Sequence, residues 1–209
     1  MKKVCFKAMI LSLLVSACSL FNLANASLML NIDSTSGKLL GASNININGE
    51  FYDVSFVDGI CAALFSGCDE QSDFFWKSSE ESKVASQALL GNVFVNSVNG
   101  LFDSSPDLTF GCSSNRFNDC FVLTPYLSVP VSNELYGFAA WNLAGATADR
   151  TTFLTTGIGS DTGRVGAEFL TYAVWSRSQA AQVVTEPSTL TVFALGLIGL
   201  VFRRCKKQS

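Results

Sequence analysis

The sequence contains no histidine. This absence removes the commonest general base, the Ser-His-Asp and Cys-His nucleophile systems, and most zinc and copper sites. Any catalysis would have to use carboxylate, lysine or tyrosine chemistry. Since the sequence also shows no catalytic arrangement of these groups, we predict a protein that is not an enzyme, with no cofactor and no metal.

Charged residues are scarce at 15%, and the basic ones are unevenly spread. Residues 27–185 hold only seven Lys and Arg against sixteen Asp and Glu, a formal charge of −9 that the whole-chain value of −3 conceals. An acidic surface repels nucleic acid and anionic lipid. We therefore expect one exported acidic body domain over residues 27–183 that does not bind nucleic acid.

Long apolar runs are few, and the first lies near the N-terminus, after Lys2, Lys3 and Lys7. A basic start, a short apolar run over residues 8–15 and a small-x-small site ending at Ala26 are typical of a secretory signal peptide. This pattern predicts a signal over residues 1–26, recognised by the general secretion machinery. Signal peptidase would then cleave between Ala26 and Ser27.

Two alternatives remain for this segment. Residues 15–18 resemble a bacterial lipobox, in which Cys18 would be lipidated and become the first residue of the mature chain. The same apolar run could instead be an N-terminal membrane anchor or a buried strand.

The second apolar run lies in the C-terminal segment, residues 184–209. This segment has three parts: a short motif, the apolar stretch and a basic cluster. The motif is Thr185, Glu186, Pro187 and Ser188, and the cluster is Arg203, Arg204, Lys206 and Lys207. Pro187 suits a helix start, which predicts a transmembrane helix over about 188–202. Its length of about 22 Å is short against a hydrocarbon core of about 30 Å, so hydropathy alone would equally allow a buried helix. In a membrane, the basic cluster would lie on the cytoplasmic side.

This three-part tail resembles the PEP-CTERM sorting signal of Gram-negative bacteria. Glu186 and Pro187 match the last two motif positions, and Thr185 stands where the first proline usually lies. The resemblance implies recognition by exosortase, transient anchoring in the inner membrane, and then release or transfer to the cell surface. A fainter resemblance links residues 51–68 and 101–106 to the bodies of other, uncharacterised PEP-CTERM proteins.

Four of the seven cysteines lie in the body, and an even number in an exported protein predicts two disulfides. The four are Cys61, Cys68, Cys112 and Cys120. We favour Cys61–Cys68 and Cys112–Cys120, because each pair closes a short loop with turn residues, although two crossed pairings remain open. Their spacing does not suit zinc, which needs CxxC-like pairs.

Local patterns predict an α+β body, a single small domain with antiparallel strands and one main helix. Asn48-Gly49 predicts a hairpin between residues 44–47 and 51–57. A capping box at Ser78 and Glu81 predicts a helix from Ser79 to about Val95. Further strands are expected at residues 121–127, 135–143, 151–154 and 168–176. An all-β sandwich is the alternative.

Three residue groups were candidates for binding or catalysis. The acidic group, Asp53, Asp58, Asp69, Glu70 and Asp73, could hold calcium or cleave glycosides, but a solvated acidic rim is favoured because no calcium-loop spacing is present. Glycines 157, 159 and 163 favour a turn over a nucleotide loop. The aromatic group could line a sugar-binding face, but packing in the core is the favoured interpretation. Its members are Trp76, Trp141, Trp175, Tyr126, Tyr136 and Tyr172.

The leading hypothesis is a non-enzymatic surface or extracellular-matrix protein, processed by exosortase and associated with exopolysaccharide or biofilm. The exopolysaccharide link is implied by the family resemblance. A carbohydrate-binding module would instead place several aromatic rings on one exposed face. A secreted hydrolase using Asp and Glu would place two carboxylates across a cleft.

Overall fold

The predicted hairpin is formed by strands β2 (Leu39–Ile47) and β3 (Glu50–Val57). Asn48 and Gly49 between them have φ values of 55° and 89°. Two successive left-handed residues make the turn whose twist matches that of paired strands, and this is why Asn-Gly is favoured there. The prediction of this hairpin is confirmed.

The computed structural model describes residues 27–113, 117–145, 149–163 and 167–179. Its remaining strands are β1 (Met29–Ile32), β4 (Asn96–Ser97), β5 (Gly100–Leu101), β6 (Asp119–Val129), β7 (Glu134–Leu143), β8 (Arg150–Gly157) and β9 (Leu170–Arg177). The predicted later strands thus exist, each extended or shifted by a few residues. Neither β1 nor the small β4–β5 hairpin was predicted from the sequence.

Seven strands form one sheet in the order β1-β2-β3-β9-β6-β7-β8, and β4 and β5 form a separate two-stranded sheet. All pairings in the large sheet are antiparallel except that between β6 and β9, which is parallel. β9 therefore lies in the middle of the sheet although it comes last in the described chain. Its side chains from Leu170 to Trp175 are mostly buried on both sides, as the sequence predicted.

The described residues include two α-helices, α1 (Cys61–Leu64) and α2 (Ser79–Ala88), and a π-helical turn over Leu89–Val93 continues the second. The Ser78 side chain accepts a hydrogen bond from the Glu81 backbone N–H at 3.2 Å, which confirms the Ser78 half of the predicted capping box. The Glu81 carboxylate accepts from the Lys77 N–H at 2.9 Å. The helical run ends two residues before the predicted Val95.

Each face of the large sheet carries its own core cluster. On the helix-covered face, α2 and its π turn pack Ala85, Leu89 and Val93 against the strands, as predicted. On the loop-covered face, residues 61–74 pack instead, with Phe65 and Phe74 against Tyr172 and Leu123.

The described residues are therefore mostly β with one main helix, in agreement with the coarse α+β prediction. They do not form the alternative sandwich, because their strands build one large sheet and a small hairpin. Residues Ser27–Ser178 make one compact unit. No helix within the described segments is long and apolar enough to cross a membrane, and the helix predicted at 188–202 lies outside them. The proposed limits of the signal, body and sorting segments stay predictions.

Candidate functional site

Most of the predicted sorting and processing residues lie outside the described residues. These are Ala26, Thr185, Glu186, Pro187, Ser188, Arg203, Arg204, Lys206 and Lys207. Ser27, the predicted first residue of the mature chain, is described and is exposed. The geometry of a candidate site can therefore be built only within the body.

The Cys61–Cys68 disulfide crosslinks the loop on the loop-covered face of the sheet, with a Cα–Cα distance of 5.7 Å. Both cysteines are fully buried. The loop turns sharply at Ser66, Gly67 and Cys68, which all have positive φ. The disulfide holds this turn so that the ring of Phe65 lies 5.6 Å from that of Tyr172.

The second disulfide, Cys112–Cys120, joins the loop before β6 to the start of that strand, with a Cα–Cα distance of 5.8 Å. It is buried in the core of the helix-covered face. The Lys38 ammonium donates to the carbonyl oxygens of Asp107, at 2.9 Å, and Cys112, so it caps the same loop. Both disulfides match the pairing favoured from the sequence.

A groove of about 430 Å³ lies where β6 and β9 diverge. Phe74 packs into the core of the loop-covered face, and Trp76 packs into the core of the helix-covered face. The chain between these two residues therefore crosses from one face of the sheet to the other beside the end of the β6–β9 pairing. Trp175 on β9 and Pro125 on β6 also line the groove. The lining of the groove combines aromatic rings with the polar side chains of Ser66, Ser72, Asp73 and Lys77.

The polar groups at the groove are used within the protein. The Lys77 ammonium donates to the carbonyl oxygens of Ser72, at 2.9 Å, and Phe74. The Asp73 carboxylate accepts the backbone N–H groups of Asp69 and Glu70, both at 3.0 Å. The buried Trp76 indole N–H has no acceptor within the described residues. Among the described residues that line the groove, Asp73 is the only carboxylate, so the groove offers no acid–base pair of carboxylates.

The acidic residues after Cys68 organise their own loop. Glu70 and Asp73 form a reciprocal capping box around the 3₁₀ turn Gln71–Asp73. The hydrogen bond from the Glu70 backbone N–H, helped by that from Asp69, lowers the pKa of the Asp73 carboxyl. Within the described segments, no three potential ligands among Cys, Asp and Glu lie close enough to hold a metal ion.

Asp53 also has a structural role. Its carboxylate accepts the Asn44 backbone N–H at 2.9 Å and the Ser178 hydroxyl. Asn44 has a φ of 61° and lies where the β2–β3 register shifts between Ala42 and Ile45. Asp53 therefore satisfies the backbone of this bulge and connects it to the end of β9.

Asp58 is the carboxyl that comes nearest to a catalytic environment. Burial raises its pKa, and the nearby Asp161 carboxylate raises it further. The Thr162 hydroxyl lies 3.3 Å from it and accepts the Gly59 backbone N–H at 3.0 Å. A methyl group at Gly111 would lie 2.3 Å from the Asp58 carboxylate, so the chain packs tightly there. Asp58 thus joins three chain segments, and the groove described above does not include it.

The six aromatic side chains do not share one exposed face. Trp76 and Trp175 are buried on the helix-covered face and Tyr172 on the loop-covered face. Tyr136 is half-buried, and its hydroxyl donates to the Glu134 carboxylate at 2.5 Å. Tyr126 is also half-buried. The binding surface that the sequence allowed is therefore not assembled from this set.

Trp141 lies between two neighbours on adjacent strands. It is paired with Phe121 on β6 and Arg150 on β8. The Phe121 ring stacks on it at 4.8 Å, and the Arg150 guanidinium lies 3.9 Å from its centre. Because these partners come from opposite sides of β7, both faces of the indole are occupied. Sequence reasoning missed this row, since only the strand register brings the three residues together.

Comparison with known proteins gives a match for the tail only. Residues 183–207 match the family model of the PEP-CTERM protein-sorting motif. No curated protein and no solved structure matches the chain. The resemblance of residues 51–68 and 101–106 to other PEP-CTERM bodies therefore has no support from these comparisons.

Proposed function

Starting from the PEP-CTERM motif at residues 183–207, which indicates an exported protein processed by exosortase, we propose that this chain delivers a non-enzymatic body to the cell surface or matrix. The motif carries the proposal, because it implies a membrane-anchored sorting signal. In this proposal the mature protein is the disulfide-bonded body, freed from both end segments and associated with exopolysaccharide.

The chemistry of the described body supports a structural role. Each acidic candidate lies in a cap, a bulge or a tightly packed junction rather than across a cleft from a second carboxylate. The chain also has no histidine. Two disulfides in a body of this size suit an oxidising compartment and compensate for the limited core of a small domain.

Neither alternative function is favoured by a specific observation. A carbohydrate-binding module would need a ring face free for stacking, whereas Phe121 and Arg150 occupy both faces of Trp141. A hydrolase using carboxylates would need an acid and a base facing one substrate site. The groove near Trp76 offers only one such carboxylate, Asp73, which is bonded to its own loop.

Deletion of exosortase in the host tests the sorting proposal. We expect the chain to keep its C-terminal segment, to stay with the inner membrane fraction and to be larger on a denaturing gel. A Glu186→Ala, Pro187→Ala double variant should show the same defect in the wild-type host. An unchanged size and location in the deletion strain would contradict the proposal.

Mass spectrometry of the mature chain tests the N-terminal processing. We expect Ser27 as the first residue, and no change of location for Cys18→Ser. A lipid-modified Cys18 would show instead that the lipobox is used.

A further inference from the structure

The two edges of the large sheet differ in length and regularity. β1 forms one edge with four residues, and its register shifts between Asn31 and Ile32. β8 forms the other with eight residues, in unbroken register with β7 from Gly157 to Arg150. Short strands and bulges are devices that keep a sheet edge from pairing with another chain. β1 has both, and β8 has neither.

The composition of β8 also favours pairing. The strand contains four threonines, one phenylalanine and one leucine, and it has no proline, lysine or acidic residue. Its one charge, Arg150, lies at the end and rests on Trp141. Phe153 at the centre is 49% exposed. β-Branched and aromatic residues suit strands, and the residues that usually prevent edge pairing are missing.

The hydrogen-bonding groups that β8 turns outward can be assigned from its register. The Ile158 backbone N–H donates to the Asn133 carbonyl at 3.3 Å, just beyond the Glu134–Gly157 pair. Hydrogen-bonded and non-bonded pairs alternate in an antiparallel ladder, so the even-numbered residues of β8 bond to β7. Thr151, Phe153 and Thr155 therefore direct both backbone groups outward. Within the described residues, no strand pairs with them.

We propose that β8 pairs antiparallel with β8 of a second copy of this chain, about a two-fold axis at Phe153. This register pairs Thr151 with Thr155 and Phe153 with its own counterpart, and each pair exchanges two backbone hydrogen bonds. A register centred on Leu154 would need the Gly157 carbonyl, which already accepts the Ser160 N–H at 2.9 Å. The Phe153 register uses the outward groups of Thr151, Phe153 and Thr155 and needs no bond to the Gly157 carbonyl. The Phe153 carbonyl, which accepts the Thr152 hydroxyl at 3.4 Å, takes the partner N–H as a second hydrogen bond.

The same arrangement is favourable for the side chains. Phe153 stacks on Tyr136 at 6.0 Å and contacts Phe138 at 5.7 Å on the helix-covered face. A two-fold axis normal to the sheet keeps that face continuous, so the two aromatic groups meet at the centre of the interface. Cross-strand aromatic pairs stabilise sheets, and Arg150 would face the neutral Thr156, so no like charges are opposed.

The partner strand belongs to a second copy of the chain, because β8 is complementary to itself when the two strands run antiparallel. Read in reverse, β8 again offers threonine, phenylalanine and threonine at the three outward positions. A two-fold interface closes on itself, and β1 is too short and irregular to extend the sheet further. The expected product is a dimer and not a fibre.

Cysteine pairing in the full chain, expressed in its host, tests this register. Thr151→Cys and Thr155→Cys, each expressed alone, should give no more disulfide dimer than the parent chain. The two expressed together should give a dimer on a non-reducing gel, because hydrogen-bonded partners have Cα atoms about 5.5 Å apart, within disulfide range. Phe153→Cys should form a dimer by itself.

Two exposed positions away from β8 serve as controls, Val131→Cys and Met29→Cys. Both should stay at the background of the parent chain. Adding Thr155→Pro, which removes an outward N–H that β7 does not use, should abolish the Phe153→Cys dimer. Phe153→Lys, added to both the Thr151→Cys chain and the Thr155→Cys chain, should likewise abolish the dimer of the mixed sample. This variant keeps the proposal testable if the proline variant fails to fold.

No dimer in the mixed sample, an equal dimer yield from the controls, or adducts with a protein of another mass would overturn the proposal. The readout needs neither exosortase nor polysaccharide. A failure here therefore leaves the sorting proposal untouched, and an unchanged chain in the exosortase deletion leaves this one untouched.

Discussion

The two faces of the large sheet are covered by different means. On the helix-covered face, α2 and its π turn form their own backbone hydrogen bonds and pack Ala85, Leu89 and Val93 into the core. On the loop-covered face, irregular chain lies over Tyr172 and Leu123, held by the Cys61–Cys68 disulfide and the Glu70–Asp73 capping box. Both faces contain a disulfide, but Cys112–Cys120 joins the loop before β6 to that strand and does not involve α2, whereas Cys61–Cys68 lies within the covering segment itself.

The largest expected effect is on the helix-covered face. Leu89→Ala removes a fully buried side chain at the junction of α2 and the π turn. We expect a loss of about 2–5 kcal/mol in the free energy of unfolding, as for other buried leucines. Denaturant unfolding measures it, and Leu90→Ala, at a half-buried neighbour, is the control. Equal losses for the two variants would show that α2 does not form the main core contact.

The next effect concerns the loop-covered face. The double variant Cys61→Ser, Cys68→Ser removes the disulfide that closes a short loop. We expect the free energy of unfolding to fall by about 2–3 kcal/mol. Hydrogen exchange should rise over residues 62–75 and stay low in α2, because α2 does not depend on this disulfide. The matched control, Cys112→Ser with Cys120→Ser, should leave residues 62–75 protected. Equal protection of residues 62–75 in both double variants would show that the Cys61–Cys68 disulfide does not hold the covering loop in place.

A smaller effect tests the polar contacts of α2 with the sheet. The Ser82 hydroxyl donates to the Thr124 carbonyl at 2.6 Å and accepts the Phe138 N–H at 2.9 Å. Ser82→Ala leaves both groups buried and unpaired, so we expect a loss of about 1–3 kcal/mol. Ser86 makes one such bond, to the Phe138 carbonyl at 2.9 Å, and Ser86→Ala should cost less. The reverse order in urea unfolding would contradict this interpretation.

The smallest effect at neutral pH is that of Tyr172→Phe on the loop-covered face. The Tyr172 hydroxyl is buried and has no hydrogen-bond partner within the described residues. Because an unpaired buried hydroxyl is costly, its removal should leave stability unchanged or raise it by up to about 1 kcal/mol. A clear loss of stability at neutral pH would show that the hydroxyl has a partner.

The same variant has a pH signature. Burial raises the pKa of Tyr172 to about 12. The folded state therefore keeps this proton above the ordinary tyrosine pKa of about 10, and the wild-type protein should lose stability between roughly pH 10 and pH 12. Tyr172→Phe should lose less over that range. Absorbance at 295 nm should show the last tyrosine titrating near pH 12 in the wild type only.

Features set by neighbouring residues could be predicted from the sequence. Asn48-Gly49 marked the hairpin, and Ser78 with Glu81 marked the start of α2, because turns and caps depend on a few adjacent residues. Apolar residues on both faces of β9 predicted its burial on both sides. The end of α2 was less well predicted, because a π turn arises from packing and has no clear local pattern.

The contents of the candidate site were harder to predict. The sequence showed aromatic and acidic residues, and only their surroundings separated core from surface. Asp53 serves a bulge whose position depends on how β2 and β3 pair. Trp141 has both ring faces occupied because β6 and β8 lie on either side of β7. Such relations join residues far apart in the chain, so no local pattern reports them.

The sequence by itself identified the sorting motif and much of the local structure. The PEP-CTERM motif is a short linear signal that a processing enzyme reads, so it can be identified without a fold. Only the tertiary structure decided that β9 lies beside β6 in the middle of the sheet, and that β8 is left as a long, regular edge. The reason is physical: strand order results from the joint burial of both sheet faces, which depends on contacts across the whole body and not on any one segment.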